Sequence, residues 1–328
     1  MNTTPCLWRG DQALRLSNQF LSVVVTTWGA QIASLQGVLA DGSPGPEALW
    51  QPPWPAERPD RAGPAWGPAA EAPLLANICG WNCCLDRFGL RPDDGGRPLH
   101  GEAGVLPWQL AADGEGIRAR LRLPLAGLEV ERLISLDGSR LLVDTTVSAI
   151  DGEDHEIEWC EHISLGDPLI DGAEVRCQAA SAVLHPDAGA HAASRFSAAP
   201  GSPVPVAEAL AIPPRSATAA GDIVALALEE GAWEVANPQL GWALSAQFDH
   251  RLFPWLCLWT EHQGRHSQPW GGVTRVRGME ASSKPFPEGL PPAERYPNWQ
   301  GRPTRLLLSA DTPLRSRMAL NWQPLRGL

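Results

Sequence analysis

Residues 118–125 alternate arginine with apolar side chains, the period of two that marks a strand half-buried against a core. Segments 128–136 and 141–147 continue this pattern. Asp137-Gly138 joins them and is a strong signal for a tight hairpin. A β-branched run at 21–27 turns at Trp28-Gly29-Ala30 and resumes at 31–35. Further strands are predicted over 156–163, 223–228, 242–248, 256–259, 305–309 and 317–322. Helical periodicity is almost absent, and 32 prolines with 32 glycines suit turns and long loops rather than helix interiors. Two stretches, 44–73 and 179–220, read as loops of the kind that cover a site or cross the surface. The pattern therefore predicts an all-β chain. It is read as one large antiparallel β-sandwich, with residues 1–328 forming a single domain.

Composition narrows the function classes. Twenty-six basic residues against 37 acidic ones give a net charge of −11, which disfavours nucleic acid and anionic membranes as partners. No 18-residue apolar run predicts a membrane span, and no leader-like start is visible. Seven cysteines, an odd number, fit free thiols in a reducing cytoplasm. Lys284 is the single lysine of the chain.

Three separated segments carry candidate chemistry: Pro98-Leu99-His100-Gly101-Glu102-Ala103, Trp159-Cys160-Glu161-His162-Ile163-Ser164-Leu165-Gly166 and Gly278-Met279-Glu280-Ala281-Ser282-Ser283. Two imidazoles and a carboxylate are the minimum set for moving protons on and off a sugar. Local sequence alone places His162 near the end of an alternating strand and Glu280 between two strands, where a glutamate is usually solvated. Fifteen tryptophans against one tyrosine and six phenylalanines also suit sugar binding, because indoles stack on sugar C–H faces. Trp81, Trp108, Trp159, Trp259 and Trp270 lie in or near the candidate segments, with one or two expected at a ligand. Two metal alternatives stand beside this reading: the thiols Cys79, Cys83 and Cys84, and a site drawn from His262, His266, His100 or Glu102.

The order and spacing of the three segments resemble the aldose 1-epimerase (galactose mutarotase) superfamily. That resemblance implies the galactose mutarotase-like supersandwich and an isomerase that interconverts the anomers of an aldose. It implies Glu280 as general base on the anomeric hydroxyl, His162 as acid on the ring oxygen and His100 as the residue that positions the ring. Arg87, Glu102, Trp108, Trp159 and Trp259 are the expected substrate-binding residues, and neither metal nor cofactor is implied. Mutual attraction is expected to keep Glu280 ionised and His162 protonated. Gly104 stands where sugar-phosphate relatives carry a phosphate-binding arginine, which points to an unphosphorylated sugar unless Arg87 or Arg91 substitutes. Ala281 replaces a frequent proline. The implied protein is a cytoplasmic monomer or homodimer whose partner is a small sugar. Two other readings stay open on the same sandwich: a carbohydrate-binding protein without turnover, and a lyase or hydrolase, for which Tyr296 is the only tyrosine available.

Overall fold

The computed structural model describes the chain except residues 90–95, 115, 192, 288–297 and 326–328. Arg91 and Tyr296 lie outside the described residues. The chain opens with a meander of β1 (Asn2–Trp8), β2 (Asp11–Ser17), β3 (Leu21–Thr26), β4 (Ile32–Val38) and β5 (Pro44–Glu47). Two 3-10 turns and the short helix α1 (Ala72–Asn77) lead into β6 (Trp81–Asp86). A second meander follows: β7 (Gln109–Asp113), β8 (Gly116–Leu123), β9 (Leu128–Asp137) and β10 (Arg140–Ala149). Next come β11 (His155–Leu165), β12 (Glu174–Leu184), β13 (Pro203–Val204) and α2 (Val206–Leu210). They lead to β14 (Ala220–Asn237), β15 (Trp242–Gln247), β16 (Trp255–His262) and β17 (Arg275–Ser282). The described chain ends with β18 (Asn298–Trp299), β19 (Arg302–Pro303), β20 (Leu306–Leu308) and β21 (Leu314–Pro324).

Among the described residues, all ladders between named strands are antiparallel. One sheet runs β6–β11–β17–β16–β14–β12, and another runs β7–β8–β9–β10–β21–β15. Strand β14 belongs to both: residues 220–227 pair with β16, and 232–237 pair with β15. Its 18 residues extend far beyond the 223–228 expected from alternation, because most of its length is buried and shows no period of two. Residues 179–184, read as loop, are the end of β12. The β9–β10 hairpin turns at Gly138-Ser139 with Gly138 at φ 58°, a conformation that glycine adopts without penalty.

Parity along β11 divides the molecule. Ile157, Trp159, Ile163 and Leu165 join the main core with Val130, Ile134, Val143 and Leu320 of the other sheet. Cys160 and His162 face the other way, toward a second apolar cluster of Trp50, Trp54, Leu74, Leu75, Trp259 and Trp270. The main core also holds a charge. Glu161 accepts from Arg132 (2.9 Å), Trp81 (2.6 Å) and Trp159 (3.1 Å), all of them buried. A lone buried carboxylate would be costly, and three donors offset the lost water.

Candidate active site

His162, Glu280 and Cys257 are direct cross-strand partners on β11, β17 and β16, and Asn82 of β6 continues the row. Register alone therefore brings together side chains more than a hundred residues apart in sequence. Both strands of the pair are central; β17 is buried throughout and β11 from Ile157 onward, and His162 lies three residues before the end of β11, as expected near a strand terminus. Glu280 lies within a strand rather than in a solvated connection, with 2% of its surface exposed.

Nε2 of His162 is 3.3 Å from Oε1 of Glu280, at the floor of a cavity of about 500 Å³. Oε1 has no hydrogen-bond partner among the described residues, since its contact with His162 is close but poorly aligned. Ser164 Oγ lies 3.3 Å from the other imidazole nitrogen. Burial pushes the Glu280 carboxyl up to about 8, opposed by the Cys257 thiol and the charges of Arg265 and Arg277. Burial likewise pushes His162 down to about 4. The dry floor thus favours the neutral form of each group, which corrects the expectation of a standing carboxylate–imidazolium pair. Between those limits the pair holds a single proton.

Gly278 makes room for this carboxyl. A Cβ there would sit 2.3 Å from Glu280 Oε1 and 3.0 Å from Trp259 Cβ. Glu280 and Gly278 share a strand face two residues apart, so a Gly-x-Glu pattern is the sequence signal that marks this space.

His100 reaches the same floor from a strained turn, with His100 at φ 62° and Gly101 at φ 85°. A Cβ on Gly101 would lie 2.3 Å from the Leu85 carbonyl. The Gly89 amide donates to Nδ1 of His100 (3.0 Å), and the His100 amide donates back to the Gly89 carbonyl (3.1 Å). The neutral ring must therefore carry its proton on Nε2. Burial, with His162 and Arg87 nearby, holds its pKa well below the usual histidine range. Phe88 stacks on the ring at 5.4 Å. The Phe88 amide donates to Glu158 (2.8 Å), which also receives the Lys284 ammonium (2.7 Å). The only lysine of the chain thus ties the end of β17 to β11 and, through Glu158, to the loop that holds His100.

Among the expected substrate-binding residues, Trp259 lines the cavity, together with Trp270. Four others are placed elsewhere. Trp159 lies an odd number of residues from His162 and so faces the core, donating to Glu161. Trp108 is buried in the same core and donates to the Ala103 carbonyl. Glu102 accepts from the amides of Leu125 and Ala126 (3.0 and 3.1 Å). Arg87 is buried and donates to the Gly89 carbonyl (3.2 Å), where it supports the turn that holds His100. The remaining cavity walls come from residues that the sequence did not single out. Leu74, Leu75 and Ile78 come from α1 and its end, with Glu71 just before it. His185, Asp187 and Ala190 follow β12, and Arg265 and Ser267 follow β16.

His262 is occupied: its ring nitrogens meet the Ala217 carbonyl (3.2 Å) and Arg275 Nε (3.3 Å). Among the described residues no group of three or more His, Cys, Asp or Glu is arranged to hold a metal ion. No helix there is long and apolar enough to cross a membrane.

No family model and no curated protein sequence matches the chain. Solved structures do. A galactose mutarotase-like protein from Lactobacillus casei aligns with 95% of this chain and 100% of its own, at TM-score 0.61 and 14% identity. An aldose epimerase homologue from C. elegans aligns over 99% and 100%, at TM-score 0.62 and 11% identity. A galactose mutarotase related enzyme from Lactobacillus acidophilus aligns over 96% and 99%, at TM-score 0.62 and 13% identity. At these identities the likeness is one of architecture, and it is nearly complete in length: the chain has the galactose mutarotase-like β-sandwich fold.

Proposed function

We propose that this chain is an aldose 1-epimerase acting on an unphosphorylated aldose, with residues 1–328 working as one domain. The observation that carries the reading is the His162–Glu280 pair, 3.3 Å apart at the floor of a sugar-sized cavity. The anomeric hydroxyl and the ring oxygen of an aldose are bonded to one carbon, so two adjacent side chains can reach both. With the shared proton on His162, the imidazolium protonates the ring oxygen while Glu280 takes the proton of the anomeric hydroxyl. The bond from C1 to the ring oxygen breaks and C1 becomes an aldehyde. Rotation about C1–C2 and reclosure on the other face deliver the second anomer. If the proton starts on Glu280, the two residues exchange roles. In either direction one proton enters and one leaves, and the pair ends as it began. His100, whose pKa burial holds well below the usual histidine range, donates a hydrogen bond from Nε2 to a sugar oxygen.

The test is anomer exchange followed by magnetisation-transfer NMR on unphosphorylated aldoses. Wild type is expected to accelerate exchange, and Glu280→Gln and His162→Asn are each expected to lose about 10²–10⁴ of that acceleration. Sugar binding without acceleration in the wild type would sink the epimerase reading and leave a carbohydrate-binding protein.

A further inference from the structure

The segment Glu261-His262-Gln263-Gly264-Arg265-His266, weighed above for metal, builds a different device. Glu261 is buried near the end of β16, and its Oε1 accepts from the amides of Gly264 (2.7 Å) and Arg265 (2.9 Å). This closes a tight turn with Gln263 at φ 60°. Oε2 of the same carboxylate lies 3.3 Å from Arg265 Nε. The Arg265 guanidinium carbon sits 4.9 Å from the Trp270 ring and 5.5 Å from the Trp259 ring. These contacts hold the guanidinium against the two nearly perpendicular indoles and Glu261, and an arginine held in this way loses little further freedom on binding. Its Nη1 and Nη2 have no protein acceptor among the described residues, and the side chain lines the cavity beside Glu280, His162 and Trp259. The wall therefore presents N–H donors over indole faces that a sugar would otherwise stack on.

Two kinds of group match such a fork: an anionic carboxylate or phosphate, and a pair of adjacent hydroxyls. Charge decides between them. Glu261 already compensates the guanidinium, and the other described cavity walls contribute the carboxylates of Glu71 and Asp187 with no second arginine or lysine. We propose that Arg265 is a specificity-determining residue that reads two adjacent hydroxyls of a neutral aldose. This inference rests on the epimerase reading for its substrate class, although it can be tested by binding alone.

The experiment compares wild type, Arg265→Gln and Arg265→Lys on D-glucose, D-galactose and their single-deoxy analogues, with glucuronate and glucose 6-phosphate as anionic probes. Exchange is read by NMR and binding by calorimetry, so a wild type that binds without turnover still tests Arg265. Wild type is expected to lose about 10–100-fold in kcat/KM or affinity on two deoxy sugars that lack neighbouring hydroxyls. Arg265→Gln is expected to lose a similar factor on the parent sugar and nothing more on those two analogues. Arg265→Lys, which keeps the charge without the fork, is expected to behave like Arg265→Gln and serves if the glutamine variant folds poorly. A uniform loss on every sugar, or none, would overturn the proposal. So would a wild-type preference for either anionic probe that Arg265→Gln removes.

Discussion

Glu161 and Glu280 are carboxylates on neighbouring strands of one sheet, each about 2% exposed, and they are held in opposite ways. Glu161 faces the core and accepts from a guanidinium and two indoles. Glu280 faces the cavity, where burial drives its pKa up to about 8 and Oε1 has no hydrogen-bond partner among the described residues. Burial is common to both, so burial does not mark the reactive one. What differs is whether the fold has supplied donors, and a carboxylate left short of them keeps its capacity for a substrate's proton.

The largest expected effect breaks the satisfied side. Arg132→Met leaves Glu161 buried without its cation and is expected to cost about 3–5 kcal/mol in chemical denaturation. Glu280→Gln is expected to do the reverse. Because the folded pKa of Glu280 lies above its ordinary value, the folded chain keeps a proton that the unfolded chain releases. Stability from this group is therefore present at low pH and is lost as pH rises from about 4.5 toward about 8. The glutamine variant escapes that loss, so its stability gain over wild type should grow from pH 5 to pH 8 and reach a few kcal/mol. Equal losses in the two variants would show that the two carboxylates do not differ in this way.

A smaller effect is expected at Gly278. Gly278→Ala places a methyl where the Glu280 carboxyl lies, against β16 backbone-side atoms that cannot retreat far. Exchange activity should fall about 10–100-fold, with a crystal structure showing the carboxyl displaced from His162. The mildest test is the pH profile. Activity should be flat between about pH 4 and about pH 8, falling below as the pair gains a second proton and above as it loses its only one. A profile centred on an ordinary carboxylate and an ordinary histidine would contradict a dry floor.

Much of this arrangement was legible in the chain. Alternation over 118–125, 128–136 and 141–147 marks β8, β9 and β10, whose strands are buried on one face and wet on the other. The same signal fails for β17 and most of β14, where both faces are covered and nothing alternates. Trp159 shows a misreading that parity corrects: three residues from His162 on one strand, it faces away from the cavity. Arg265, Asp187 and Leu74 could not be assigned to the cavity from local pattern, because only long-range packing brings their segments to it.

The Lys284 ion pair has a practical corollary. Every other cationic side chain in this molecule is arginine or histidine, so the molecule has one side-chain amine, and it is sealed between β11 and β17 with 5% of its surface exposed. An amine-reactive reagent can modify it only when that seam parts. The extent of labelling at Lys284 over time, read separately from the exposed α-amine of Met1, then counts the openings of the region that holds His100 without an introduced probe.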